Sequence, residues 1–356
     1  MSSETANLGA AAGRRLNPAL PSALARRSAL RLAGLLAFVG LLLVAVILSL
    51  GVGARPIAPA AVIDALFNFD ATSNDHLVVR DLRLPRTGIA IAVGVALAIA
   101  GALMQALTRN PLADPALLGV NHGAALAVVG AIFLFGIRTP SLLAWCAFIG
   151  AGSIAALVYV FASIGRGGAT PVRLALAGSA VAAMLMGVIG AVLILSQDTY
   201  DSYRFWMVGS LSATNSVPVA EVMPFLVVGV VLAFLLGPAL NALALGDDTA
   251  RALGTRLNLV RFGSLAAVTL MSGSAVAVAG PITFVGLVVP HLARAICGAD
   301  QRWLMAYAAV LGPSVLLLGD VVGRVVLPPG EVQVGIIMAI VGAPLFIAIV
   351  RRMRTA

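Results

Sequence analysis

Long apolar runs recur along this chain, separated by short stretches that carry arginine, proline and glycine. Run length and this punctuation predict membrane spans at about 30–52, 86–108, 116–136, 141–164, 172–196, 218–240, 262–280, 282–297, 304–325 and 333–350. Crossing a bilayer takes roughly 20 mostly apolar residues, which all but one of these runs approach. The exception, 282–297, is short and holds Pro290, His291 and Arg294; it reads either as a full crossing or as a short tilted helix. Alternating strand-length segments of about ten residues, the mark of an outer-membrane barrel, are missing from the pattern. The fold class is therefore all-α and polytopic, with about ten transmembrane helices. Residues 1–29 are polar, rich in Ala, Arg and Ser, and are expected to form a poorly ordered cytoplasmic segment ahead of a 30–352 membrane domain. The run that follows is too long for a signal-peptide core, so a retained first helix is expected.

Composition agrees with that class: 61% of residues are hydrophobic, 10% are charged, and the mean hydropathy is +1.05. Cys146 and Cys297 both sit in apolar runs, which gives no disulfide framework and no Cys-rich metal site. All 23 basic residues are arginines. With the N-terminus inside, sixteen of them fall on inner segments and seven outside, as the positive-inside rule requires for ten spans with both termini cytoplasmic.

This orientation puts the most charged interior run, "GDDTARALGTRLNLVR" (246–261), in the cytoplasm between the sixth and seventh spans. Ala250, Leu253, Leu257 and Val260 recur at helical spacing, Asp247 and Asp248 stand near a helix start, and Gly254 interrupts the pattern. Two short helical pieces with a small apolar stripe are predicted. Such a loop either anchors two helices through snorkelling arginines or offers a docking surface to a cytoplasmic partner.

A phosphate-binding loop of the Walker type needs a lysine, which this chain lacks, so any ATP that drives it is hydrolysed on another chain. An ion-coupled carrier needs ionisable groups at mid-membrane. The acids offer little for that: Glu221 starts the sixth span, and Asp320 stands four residues before Arg324, in the order that favours mutual neutralisation. His76, His122 and His291 lie on separate elements without metal-ligand spacing, and no nucleophile-elbow signature is present, so neither a metal site nor a catalytic residue is expected.

Five stretches carry a family resemblance: 83–126 ("RLPRTGIAIAVGVALAIAGALMQALTRNPLADPALLGVNHGAAL"), 173–181 ("RLALAGSAV"), 204–211 ("RFWMVGSL"), 240–257 ("LNALALGDDTARALGTRL") and 276–294 ("VAVAGPITFVGLVVPHLAR"). In order and content they resemble the permease subunit of ATP-binding-cassette importers for ferric siderophores, haem and cobalamin. The resemblance, from about residue 30 to 352, implies the type II importer architecture in a bacterial cytoplasmic membrane. It also implies a second permease subunit, identical or related, a cytoplasmic ATPase pair holding ATP and Mg, and an extracytoplasmic substrate-binding protein. No cofactor on this chain and no nucleic-acid partner are expected.

By the same resemblance, Asp247, Asp248, Arg251, Leu253 and Gly254 belong to coupling helices gripped by the ATPase. "NPLADP" (110–115) corresponds to an inner gate, with Asn110 and Leu112 near the axis and Pro111 and Pro115 stiffening the turn; an ordinary Asx-Pro turn would use the same residues. Arg83, Arg86 and Arg324 match positions that offer arginines to glutamates of the binding protein, for which a planar guanidinium is suited. Internal pairing, such as Arg83 with Asp81 or Arg324 with Asp320, is the competing reading. The segment "DSYRFWMVGSL" after the fifth span is expected to form a short helix near the outer mouth. The alternative to an importer is a proton- or sodium-coupled carrier using Asp320 or Glu221.

Overall fold

The structure, a computed structural model, describes residues 19–53, 55–164, 170–212 and 219–355. Among them there is no strand. The helices are α1 (Ala19–Gly51), α2 (Pro59–Phe67), α3 (Asn74–Leu77), α4 (Leu84–Thr108), α5 (Val120–Phe135), α6 (Pro140–Ser163), α7 (Pro171–Leu195), α8 (Gln197–Met207), α9 (Val219–Ala244), α10 (Asp247–Ala252), α11 (Leu257–Ala279), α12 (Val285–Cys297), α13 (Gln301–Val326) and α14 (Val334–Thr355). Each expected span holds one of them. Eight stretches are long and apolar enough to cross a membrane, and α5 and α12 are shorter apolar helices.

Three boundaries differ from expectation. Helix α1 begins at Ala19, so the part of the 1–29 segment that is described is helical; the remainder lies outside the described residues. The second span begins well before residue 86, because α3 passes through a π-helical turn at Val78–Arg83 into α4. The expected 282–297 span is helical only from Val285. Gly280 has φ +69°, Pro281 lacks a backbone donor, and Phe284 has φ +67°, which together break the chain between α11 and α12. At 13 residues α12 is about 20 Å long, short of the roughly 30 Å hydrocarbon thickness. The break is tolerable in a bilayer because its backbone is used internally: Ser210 N–H donates to Ala279 O at 2.8 Å.

Several starts follow from proline, which stands in the first turn of α2, α4, α6 and α7, where its missing N–H costs nothing. Helix α4 is apolar all round and is enclosed by α13, α11, α12 and α9. Close approach needs small residues: Gly94 faces the backbone of Gly312 and Pro313, and Gly101 faces Gly286 of α12, with no room for a Cβ at either position. By contrast α1, α7 and α9 turn wide apolar faces outward, with Leu36, Ile47, Met184, Val188, Val231 and Leu235 all exposed.

Candidate functional site

The residues expected inside and those expected outside gather at opposite ends of the bundle. At the inner end, α10 is a six-residue helix that starts after Gly246 (φ +109°) and stops at Leu253. Gly254 (φ +81°) turns the chain, and Thr255 N–H returns to Ala250 O at 2.9 Å. The second helical piece predicted for 246–261 is the first turn of α11 instead. Of the predicted apolar stripe, Ala250, Leu257 and Val260 are buried, whereas Leu253 is 65% exposed, because the left-handed residue after it carries the chain away before a further turn can cover it. Asp248 and Arg251 pair at 2.8 Å on the open face.

Asp247 points the other way. Its Oδ2 accepts from Arg261 Nη2 of α11 at 2.6 Å, and its Oδ1 accepts from Arg109 Nη2. Partial burial alone would raise the Asp247 carboxyl, but the hydrogen bonds and charges of Arg109 and Arg261 outweigh it and hold the group below the usual carboxylate range. Arg109 closes α4 with φ +50°, a left-handed conformation unusual for a residue with a Cβ.

The expected gate residues follow directly. Asn110 Oδ1 accepts from Leu112 N–H at 3.0 Å, and Pro111 fixes the turn between them. Asn110 is exposed; Pro111 and Leu112 are half-buried. Asp114 Oδ1 accepts from Ala116 N–H at 2.9 Å and so caps a short 3-10 turn, Pro115–Leu118. That turn is wedged between two helices: Leu117 O lies against Gly178 of α7, while Pro115 and Asp114 lie against Gly286 of α12.

At the outer end the arginines expected to meet a binding protein turn toward groups of the chain itself. Arg83 is only 6% exposed and donates from Nη1 to Leu50 O at 2.7 Å, with a second bond from Nη2 to Arg55 O; Asp81 is not its partner. Arg324, 2% exposed, donates to Ser49 O at 2.8 Å and Ser49 Oγ at 2.9 Å, and pairs with Asp320 at 2.7 Å. Arg86 bridges Asp320 at 2.8 Å and Glu331 at 2.6 Å, and is the one of the three that keeps an edge toward solvent. The physical cause is the end of α1: its last carbonyls lack intrahelical partners, and guanidinium groups from the π-helical turn before α4 and from α13 fill the need. The Asp320–Arg324 pairing read from the sequence is present, with Arg86 as an unforeseen third member.

Helix α8 forms where a short helix was expected, with Tyr203 packed against α5 and α7 and Trp206 stacked on Tyr203 at 6.0 Å. Beside it a cavity of about 230 Å³ is lined by Ile132, Leu143, Phe205, Trp206 and Ser210. Glu221, at the start of α9, accepts from Trp145 Nε1 at 2.8 Å. Among the described residues no group of three or more His, Cys, Asp or Glu side chains could hold a metal ion.

A many-span helical bundle with a broken span and a short polar helix between two spans is the architecture of a polytopic membrane protein. The chain belongs to the FecCD transport family, whose model matches residues 41–352. It is 46% identical over 314 residues to the ferric enterobactin transport system permease protein FepD of Escherichia coli, covering 88% of this chain and 93% of that one. It is 40% identical over 318 residues to the probable siderophore transport system permease protein YfiZ of Bacillus subtilis, covering 89% and 95%. Among solved structures it resembles an inward-facing metal-chelate type ABC transporter, with a TM-score of 0.78 and 27% identity over 89% of this chain and 98% of that one. The chain is thus a transmembrane permease subunit of an ABC importer.

Proposed function

We propose that this permease carries a ferric siderophore inward across the cytoplasmic membrane, powered by ATP bound with Mg on a separate pair of ATPase chains. The cargo class rests on relatives named for ferric enterobactin, ferric citrate and iron(3+)-hydroxamate. A second permease, identical or related, would complete the pathway, a substrate-binding protein would deliver cargo outside, and both termini would lie in the cytoplasm.

The observation that carries the ATP-driven reading is α10, a short helix held between α9 and α11 with Leu253, Asp248 and Arg251 on its open face. A rigid protrusion joined at both ends to membrane helices can pass a partner's movement into the bundle. Asp320 counts against an ion-coupled carrier. It is buried, and its oxygens are taken up by Arg86 and Arg324 of the chain itself. On the outer side, Arg86 is the member of the expected docking trio that a partner carboxylate could reach.

The test is uptake into proteoliposomes holding this chain, an ATPase and a binding protein from its source organism. Radio-iron-labelled ferric enterobactin, ferric citrate and a ferric hydroxamate are offered in parallel. ATP-dependent uptake of one of them supports the reading. Uptake driven by an ion gradient without ATP, or no ATP-driven uptake of any, overturns it.

A further inference from the structure

The coupling helix and the expected gate loop are adjacent in space although they are far apart in sequence, and one side chain joins them. Asp247 is the first residue of α10, and one of its oxygens holds Arg261 of α11 while the other holds Arg109, the residue that ends α4 and opens the 109–118 loop. Arg261 is well buried and braces Asp247 from the membrane side, whereas Arg109 is 43% exposed and has no other carboxylate within reach among the described residues.

Arg109 is set for this role by its backbone. Its left-handed conformation (φ +50°) turns the chain out of α4 and toward α10, and Asn110 and Pro111 then stiffen the next step. Further on, the same loop meets α7 through Leu117 O at Gly178 and α12 through the side chains of Asp114 and Pro115 at Gly286, so a pull on Arg109 is felt by two membrane helices. Packed contacts of this kind yield by discrete shifts, not by gradual deformation.

We propose that Asp247 and Arg109 form a clasp that transmits movement of the coupling helix to the 109–118 loop, and through it to α7 and α12. The inference rests on the ATP-driven reading given above and adds a route to it. Asp247 and Arg109 are positioning residues: neither touches nucleotide nor cargo. The clasp makes the loop follow α10 on each ATPase closure, and without it the ATPase cycles while the loop lags.

The readout is ATP hydrolysed per chelate taken up, in the reconstituted system and with ferric enterobactin, ferric citrate and a ferric hydroxamate as probes. Arg109→Gln and Asp247→Asn should each raise that ratio by about fivefold, the low end of typical coupling between sites. The double variant should be no worse than either single one, because both remove the same contact. Arg109→Lys, which keeps the charge, should recover most of the coupling. A role confined to stability would lower the amount of complex and leave the ratio where it was.

An unchanged ratio in Arg109→Gln, or additive effects in the double variant, overturns the clasp while the importer reading stands. Wild-type vesicles that show no ATP-driven uptake bring down the importer reading and the clasp with it. If Asp247→Asn fails to assemble because Arg261 loses its partner, the exposed position carries the test alone: Arg109→Gln uncoupled with Arg109→Lys coupled supports the clasp, and equal ratios in the two refute it.

Discussion

The two ends of the bundle use the same chemistry, arginine against carboxylate and carbonyl, to opposite effect. At the outer end Arg83, Arg324 and Asp320 are buried and bond to groups of the chain itself, tying the end of α1 to α13 and to the π-helical turn before α4. At the inner end Asp248, Arg251 and Leu253 stand open on a six-residue helix, and only Asp247 reaches back toward the membrane. A buried ionic group is locked by the desolvation that would follow its release, whereas an exposed pair costs little to rearrange. The outer cluster therefore holds chain segments together, and the inner face leaves Asp248, Arg251 and Leu253 open to solvent.

The sharpest way to break this contrast is at Asp320. Asp320→Asn leaves Arg324 without its carboxylate in a buried site and should destabilise the protein by about 3 to 5 kcal/mol. Thermal unfolding in detergent, followed by a thiol-reactive dye as the buried Cys297 becomes accessible, would record it. A loss below about 1 kcal/mol, the range of exposed pairs, would show that the outer cluster is no more locked than the inner one.

At the inner end, Leu253→Asp should leave thermal stability unchanged and weaken assembly with the ATPase by about 2 kcal/mol, some thirtyfold in dissociation constant, as for an anchoring side chain at an interface. Binding measured by biolayer interferometry on nanodisc-embedded protein checks this. A stability loss with unaltered binding would reverse the assignment.

A smaller effect is expected at Ser49, whose hydroxyl is shared by Thr87 Oγ1 at 2.8 Å and Arg324 Nη2 at 2.9 Å. Ser49→Ala removes both bonds and should cost about 1.5 kcal/mol by the same dye assay.

The smallest effect is pH-dependent. The Asp247 carboxyl lies below its ordinary value in the folded protein, so its stabilising contribution is present at neutral pH and is lost as pH falls through the folded value. Wild type should exceed Asp247→Asn by about 1 kcal/mol or less at pH 7, given how exposed Arg109 is. The gap should close in acid, below the usual carboxylate value near 4. A gap that is constant or widens in acid would contradict the charge account.

Much of this contrast was legible in the sequence, and the reasons are physical. Span positions follow from the length of apolar runs, which bilayer thickness fixes. Asp320 and Arg324 are four residues apart on one helix, so their pairing is local and readable. Asp247 with Arg109, Arg86 with Asp320, and Arg324 with Ser49 each join residues more than a hundred positions apart or on different helices; no spacing rule reports such pairs. The inward turn of Arg83 was hidden for the same reason, since its acceptors are backbone carbonyls at the end of α1 and in the turn beyond it. For Arg109 a signal did exist, a basic residue directly before Asn-Pro at a helix end, but it does not say which acid the side chain will meet.

The most direct test of the contrast is the accessibility of a single cysteine at position 253, in a background with Cys146→Ser and Cys297→Ala, to a membrane-impermeant maleimide. The account predicts labelling in inside-out vesicles, none in intact spheroplasts, and protection of the inside-out signal when the ATPase is bound. Labelling from the outside, or labelling from the inside that the ATPase does not reduce, would contradict it.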